Sequence, residues 1–214
     1  MSRQSQPGET YHNPVTGERA IVLEAPSQSP ERRLVAELWL NPGAAVAGEH
    51  LHPAIDESFE VLEGELGYRL GGVEATAVAG DRIDIPAGTW HDWWHRGRGE
   101  TTCRVTITPG DRFQQMILTL WGLAGDGRTD EKGMPGLLQL AAISREFEDA
   151  IVFRRPPRIV QRALFGVLAP LARRRGYRGV YPRYEEMGSA GTPEQVRAGN
   201  PVAPQTGPGP GPPG

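Results

Sequence analysis

The sequence is short of cysteine, of long apolar runs and of net charge. A single cysteine, Cys103, excludes a disulfide within the chain and fits a reducing compartment. No apolar run approaches the roughly 20 residues that a helix needs to cross a bilayer. The first residues, MSRQSQPGETYHNP, hold no apolar core of the kind a secretion signal carries. A cytoplasmic location is therefore expected. Formal net charge is −3, but acid is missing from one stretch altogether: 154–183 holds nine arginines and no Asp or Glu, leaving −12 on the rest of the chain. No nucleic-acid motif accompanies this charge, so nucleic acid is not expected as a partner. A basic amphipathic helix can also read as a membrane-surface element. Docking of the arginines on the protein's own acidic barrel or on a second subunit is the simpler expectation, and a membrane is not expected.

What is plentiful is punctuation. The 214 residues include 28 Gly and 20 Pro, the composition of a loop-rich globular chain of one domain with appendages. Strand-like segments recur at short intervals: 18–25, 33–40, 49–52, 57–62, 65–70, 73–78, 82–85, 89–95 and 102–108. Gly71-Gly72 reads as a primed hairpin turn. Many short strands with Gly/Pro turns predict a sandwich or small barrel. After Pro109-Gly110 the period changes to that of helices, expected over 111–124, over 136–149, and from Pro157 to a stop near Gly176. The third should be kinked by Pro170. Residues 1–17 are expected to form an arm, 18–110 the β-barrel, 111–187 a helical extension, and 188–214 a disordered Pro/Gly-rich tail.

Four of the five histidines lie in one block of the barrel segment: His50, His52, His91 and His95. His50 and His52, two apart on a strand, point the same way. If the turns also bring Glu57 and His91 there, three imidazoles and one carboxylate would make a mixed N/O site for a divalent first-row metal, with positions left open for chemistry. The remaining histidine, His12, sits in the arm and is not expected at the metal.

The block reads H-x-H-x4-E-x6-G from His50 to Gly64 and G-x5-P-x-G-x2-H from Gly80 to His91. It resembles the two-part signature of the cupin superfamily, G-x5-H-x-H-x3,4-E-x6-G and G-x5-P-x-G-x2-H-x3-N. Gly43 precedes His50 by one residue more than the motif has, and His95 stands where the motif has Asn. The resemblance implies an all-β core folded as a double-stranded β-helix (jelly roll), with His50, His52, Glu57 and His91 as the metal ligands. The metal could be Fe, Mn, Ni, Co, Cu or Zn, because affinity order does not decide which is loaded. Barrel, three helices and a Gly-Tyr-Arg…Tyr-Pro-Arg-Tyr ending also resemble a group of bacterial single-domain cupins with a C-terminal helical extension.

Period two nominates a pocket wall. If Glu57 faces inward, so do Phe59 and Val61; if His91 does, so do Trp93 and His95. His95 is a candidate proton shuttle. The functional expectation is a metal-dependent enzyme, dioxygenase-like, oxidising a small organic substrate. Two alternatives stay open: a redox-neutral isomerase or lyase, and a non-catalytic module that binds or senses a small ligand. Fold does not separate them. A homodimer is expected.

Overall fold

The computed structural model describes residues 5–46 and 48–198. Its strands are β1 (Glu9–His12), β2 (Arg19–Glu24), β3 (Leu34–Leu40), β4 (His50–Leu51), β5 (Asp56–Glu63), β6 (Glu65–Leu70), β7 (Val73–Val78), β8 (Arg82–Ile85), β9 (His91–Arg96), β10 (Thr101–Thr108), β11 (Val152–Phe153) and β12 (Ser189–Ala190). The helices are α1 (Asp111–Gly125), α2 (Leu137–Glu146), α3 (Arg158–Arg174) and α4 (Pro193–Arg197). All strand pairs are antiparallel. They build a seven-stranded sheet in the order β12-β1-β2-β3-β10-β5-β8 and a five-stranded sheet in the order β11-β4-β9-β6-β7. Two antiparallel sheets with out-of-sequence neighbours are the jelly roll expected from the short, turn-punctuated strands.

Period two decides what fills it. On β5, Glu57, Phe59 and Val61 are buried, and on β10 the buried set includes Cys103, Val105 and Ile107. The register sets these residues side by side: Glu57 against Ile107, Phe59 against Val105, Val61 against Cys103. Each fully buried apolar side chain of this kind contributes about 1.5–3 kcal/mol. Burial pushes the Cys103 thiol up to about 12, which keeps it protonated and inert. The β6–β7 hairpin turns through Gly71 and Gly72, both at positive φ (58° and 89°), as a primed turn requires.

The helices follow the barrel. α1 begins at Asp111, with Gly110 in the capping position. At Gly122 a Cβ would come within 2.2 Å of the Tyr184 ring, so glycine is what lets the chain after α3 close over α1. α3 runs through Pro170 and starts after Pro157, which flanks the helix instead of opening its first turn. It stops where Gly176 takes φ +84°: the Tyr177 N–H reaches the Ala172 carbonyl (3.0 Å) and the Gly176 N–H the Arg173 carbonyl (3.1 Å), a Schellman ending.

Two boundaries differ from expectation. The arm 1–17 contains β1, which lies between β2 and β12 in the large sheet, because Glu9 and Tyr11 face inward and the backbone has partners on both sides. The tail from 188 starts with β12, paired to β1 through Glu9↔Ala190, and with α4, capped by Thr192 and burying Val196 against Ile21 and Trp39. Residues 199–214 of that tail lie outside the described residues.

The arginine stretch also differs. Among the described residues only Arg154 (with Glu49) and Arg183 (with Asp126) of the nine form ion pairs. α3 buries Ala169 and Ala172 and leaves Ile159, Val160, Leu164, Val167 and Leu171 exposed. It packs on α2 through small side chains and turns its larger ones outward. No described helix is long and apolar enough to cross a membrane.

Candidate metal centre

The cluster spans the two sheets. Glu57 comes from β5 in the large sheet; His50 on β4 and His91 on β9 face each other as register partners in the small one. His52 follows β4, where its backbone carbonyl accepts the Gly88 N–H (2.8 Å) and ties it to the turn before His91. Ligand atoms of the four residues all lie within 4.8 Å of one another, and all four are buried. Ring centroids stand 4.3 Å apart for His50–His91, 5.1 Å for His50–His52 and 5.4 Å for His52–His91.

Each imidazole is oriented by a backbone carbonyl. His50 Nδ1 donates to Gly48 (3.0 Å), His52 Nδ1 to Ala150 (2.6 Å) and His91 Nδ1 to Thr89 (2.9 Å). A carbonyl only accepts, so in the neutral ring the proton sits on Nδ1 and the Nε2 lone pair is free. Nε2 of His91 and of His52 lie 3.0 Å and 3.7 Å from Glu57 Oε2. Neither approach is aligned as a hydrogen bond, and all three atoms are buried without a partner. Buried polar atoms left unpaired are costly. Here they converge, and an N/N/N/O donor set of this kind fits a divalent first-row cation.

Electrostatics agree. Burial, then the neighbouring His91 and His52, push His50 down to about 3, so it stays neutral and able to donate its lone pair. Burial also lowers His52, against the pull of Glu57. Burial by itself would raise Glu57; the three imidazoles outweigh it, His91 foremost, and the carboxylate is held below its ordinary value. His91 is lowered by burial but raised further by Glu57, ending above its ordinary value.

The ligands open into a cavity of about 260 Å³. Phe59 and Trp93 line it, 6.2 Å apart by ring centroids. Val61 is fully buried in the barrel core and does not line it. His95 is brought to the inward face of β9 but not to the cavity. Four residues beyond His91, it is about 13 Å along the strand, and its Nε2 donates to the Gly99 carbonyl (2.6 Å). It is not among the residues that line the cavity. His12 is exposed on β1, away from the four ligands.

The extension supplies parts of the site that no sequence signal located. Ala150 provides the carbonyl that orients His52. β11 pairs with β4, setting Phe153 opposite His50, with rings 5.9 Å apart. Phe113 of α1 stands edge-on to His52 at 5.6 Å. Phe113 falls in the segment whose period predicts the first helix, and that period says nothing of a metal. The two-residue β11 is too short to show a period.

The model of the cupin domain family (Cupin_2) matches residues 37–111. Similar solved structures include the cupin domain of Schizosaccharomyces pombe Cnp3, at 12% identity over 42% of this chain and 64% of that one, just under two thirds of its length (TM-score 0.38). A protein from Thermotoga maritima described as a predicted oxalate decarboxylase aligns at 22% identity over 50% of this chain and 97% of that one (TM-score 0.42). A sugar phosphate isomerase of the cupin superfamily from Silicibacter pomeroyi aligns at 28% identity over 50% and 69% (TM-score 0.39). No curated protein matches the chain. The matched residues carry the strands that present His50, His52, Glu57 and His91, so the segment that holds the cluster is the one that matches the cupin domain family.

Proposed function

We propose that the protein is a metal-dependent enzyme that oxidises a small apolar organic substrate, dioxygenase-like, with a divalent transition metal held by His50, His52, Glu57 and His91. The observation that carries this reading is the arrangement of three carbonyl-oriented imidazoles and one ionised carboxylate, all buried, beside an apolar cavity. When bound, such a metal supplies Lewis-acid chemistry and, if redox-active, electron transfer. The protein's own part is to orient and to exclude water. Phe59 and Trp93 offer flat apolar faces to a substrate beside the ligands.

The lining favours oxidation over a redox-neutral reaction. An isomerase or lyase needs an acid or base at the substrate. Outside the cluster, the titratable residues among the described lining are Tyr11, Glu18 and Lys132. Tyr11 donates to Glu9, and Glu18 accepts from Thr16. With His95 held at Gly99, Lys132 is the lining's remaining titratable side chain outside the cluster. Elemental analysis of protein purified without added metal, with oxygen uptake on a panel of phenols and diketones, tests this. Uptake with a redox-active metal is expected. Turnover without oxygen consumption would favour the redox-neutral reading, and tight binding without turnover a capture module.

A homodimer is proposed through the outward face of α3. Val160, Leu164, Val167 and Leu171 are spaced four, three and four residues apart, the spacing of a two-helix seam. A two-fold axis along the seam would pair this face with itself. The contact is apolar, so the dimer should withstand salt; a monomer by light scattering at tens of micromolar protein would overturn it.

A further inference from the structure

We infer that the helical extension shares with the barrel in selecting the ligand of the metal cavity, and that the ligand is an apolar molecule of about two fused rings bearing a hydrogen-bond donor for Gln114. This rests on reading the cavity as the place where the metal's substrate binds. Three observations carry it. The first is size and lining: a cavity of roughly 150 Å³ holds one benzene, and this one has about 260 Å³ with a mostly apolar wall. The second is who builds the wall. Phe113, Met116, Ile117 and Leu120 of α1, together with Ile143 of α2 and Phe153 of β11, all come from beyond the barrel.

The third is Gln114. It belongs to α1, lines the cavity and is 7% exposed, and its Oε1 is buried with no hydrogen-bond partner. A carbonyl oxygen left unpaired in an apolar wall is satisfied by a ligand that brings one O–H or N–H. A sugar or a small dicarboxylate brings many polar groups into a wall that pairs few of them, and binding it costs accordingly. An apolar ring system with one donor matches both the volume and the unpaired Gln114 oxygen.

The test uses the full chain, metal-free and metal-loaded, titrated with 2-naphthol, naphthalene and glucose by calorimetry. Metal content is measured separately. 2-Naphthol should bind and glucose should not. Gln114→Leu should weaken 2-naphthol roughly 3- to 10-fold, the loss expected for one hydrogen bond, and leave naphthalene unchanged or tighter. Ile117→Trp, which fills the cavity from α1, should abolish binding of both aromatic probes while the circular dichroism spectrum stays that of the wild type; it also covers the case in which Gln114→Leu does not fold. Equal 2-naphthol affinity in wild type and Gln114→Leu, binding that survives Ile117→Trp, or glucose binding as tight as 2-naphthol would each overturn the inference. Because the metal-free protein is titrated too, a chain that never loads metal but binds 2-naphthol through Gln114 would sink the metal reading and leave this one standing.

Discussion

The barrel and α3 bury their apolar residues to very different degrees. On β5 and β6, Phe59, Val61 and Leu66 are 2% exposed or less, whereas on α3 Ile159 and Val167 are 79% and 74% exposed. The barrel closes on itself and buries most of its large apolar side chains, although Leu23, Val73 and Val78 on its strands are exposed. α3 buries Ala169 and Ala172, and among the described residues Ile159, Val160, Leu164, Val167 and Leu171 stay exposed. Apolar patterning thus marks a face that must be covered, without saying by what. In the barrel the cover is the opposite sheet. On α3 we assign it to a second copy.

Substitutions sharpen this contrast. Leu66→Ala in the closed barrel should lower unfolding free energy by about 2–5 kcal/mol, the range for a buried leucine. Val167→Ala should stay within about 0.5 kcal/mol for the monomer, as exposed substitutions do. Denaturant titration at low protein concentration measures both. If Val167→Ala costs as much as Leu66→Ala, the α3 face is covered even under those conditions.

Acid should separate the cluster from the rest of the molecule. The folded metal-free protein keeps His50 neutral down to about 3, and His52 is lowered too, while the unfolded chain protonates both near 6.5. Below pH 6.5 the unfolded state therefore binds more protons, and stability falls as pH falls towards 3. His91, raised by Glu57, acts in the opposite sense and moderates the slope. The net loss should be on the order of a few kcal/mol, read from denaturation midpoints of chelated protein between pH 7 and 4. A flat profile would mean that the imidazoles are not packed as described.

The extension's grip on the ligands is the next smaller effect. Phe113→Ala removes the ring that stands against His52 and should weaken metal affinity by less than the about 10–100-fold that follows loss of a hydrogen-bonding partner behind a ligand. Competition with a chelator measures it. Affinity equal to wild type would reduce the extension to a cover with no part in orienting the ligands. The smallest effect is expected at His95. With its Nε2 on Gly99, His95→Asn should keep metal content and leave turnover within a few-fold. A loss of about 10²–10⁴ in turnover, typical of a missing acid or base, would restore it to the chemistry.

The four ligands and the two sheets were legible because they rest on repeating signals: two-residue alternation in the strands, and fixed offsets between His, Glu, Gly and Pro. The same alternation put Trp93 and Phe59 on the cavity wall. It also pointed His95 inward, yet direction alone does not say how far along β9 a side chain sits from the ligands. What escaped is singular instead of periodic. The Ala150 carbonyl carries no side-chain signature, β11 is two residues long, and β1 and β12 support each other across 180 positions of sequence. The arginines misled for a related reason: a run of one charge shows that a surface is basic, and only the packing of Ala169 and Ala172 shows which side of α3 is taken.

The account stands or falls on the metal. Protein purified without added metal, or loaded and then desalted, should contain about one divalent transition-metal ion per chain, and X-ray absorption should find nitrogen and oxygen neighbours with a strong imidazole signature and no sulfur. His50→Ala, His52→Ala and His91→Ala should each strip most of the ion, while Glu57→Gln should retain part of it. If two of those three histidine variants keep the wild-type metal content at full occupancy, the four residues are not the metal site.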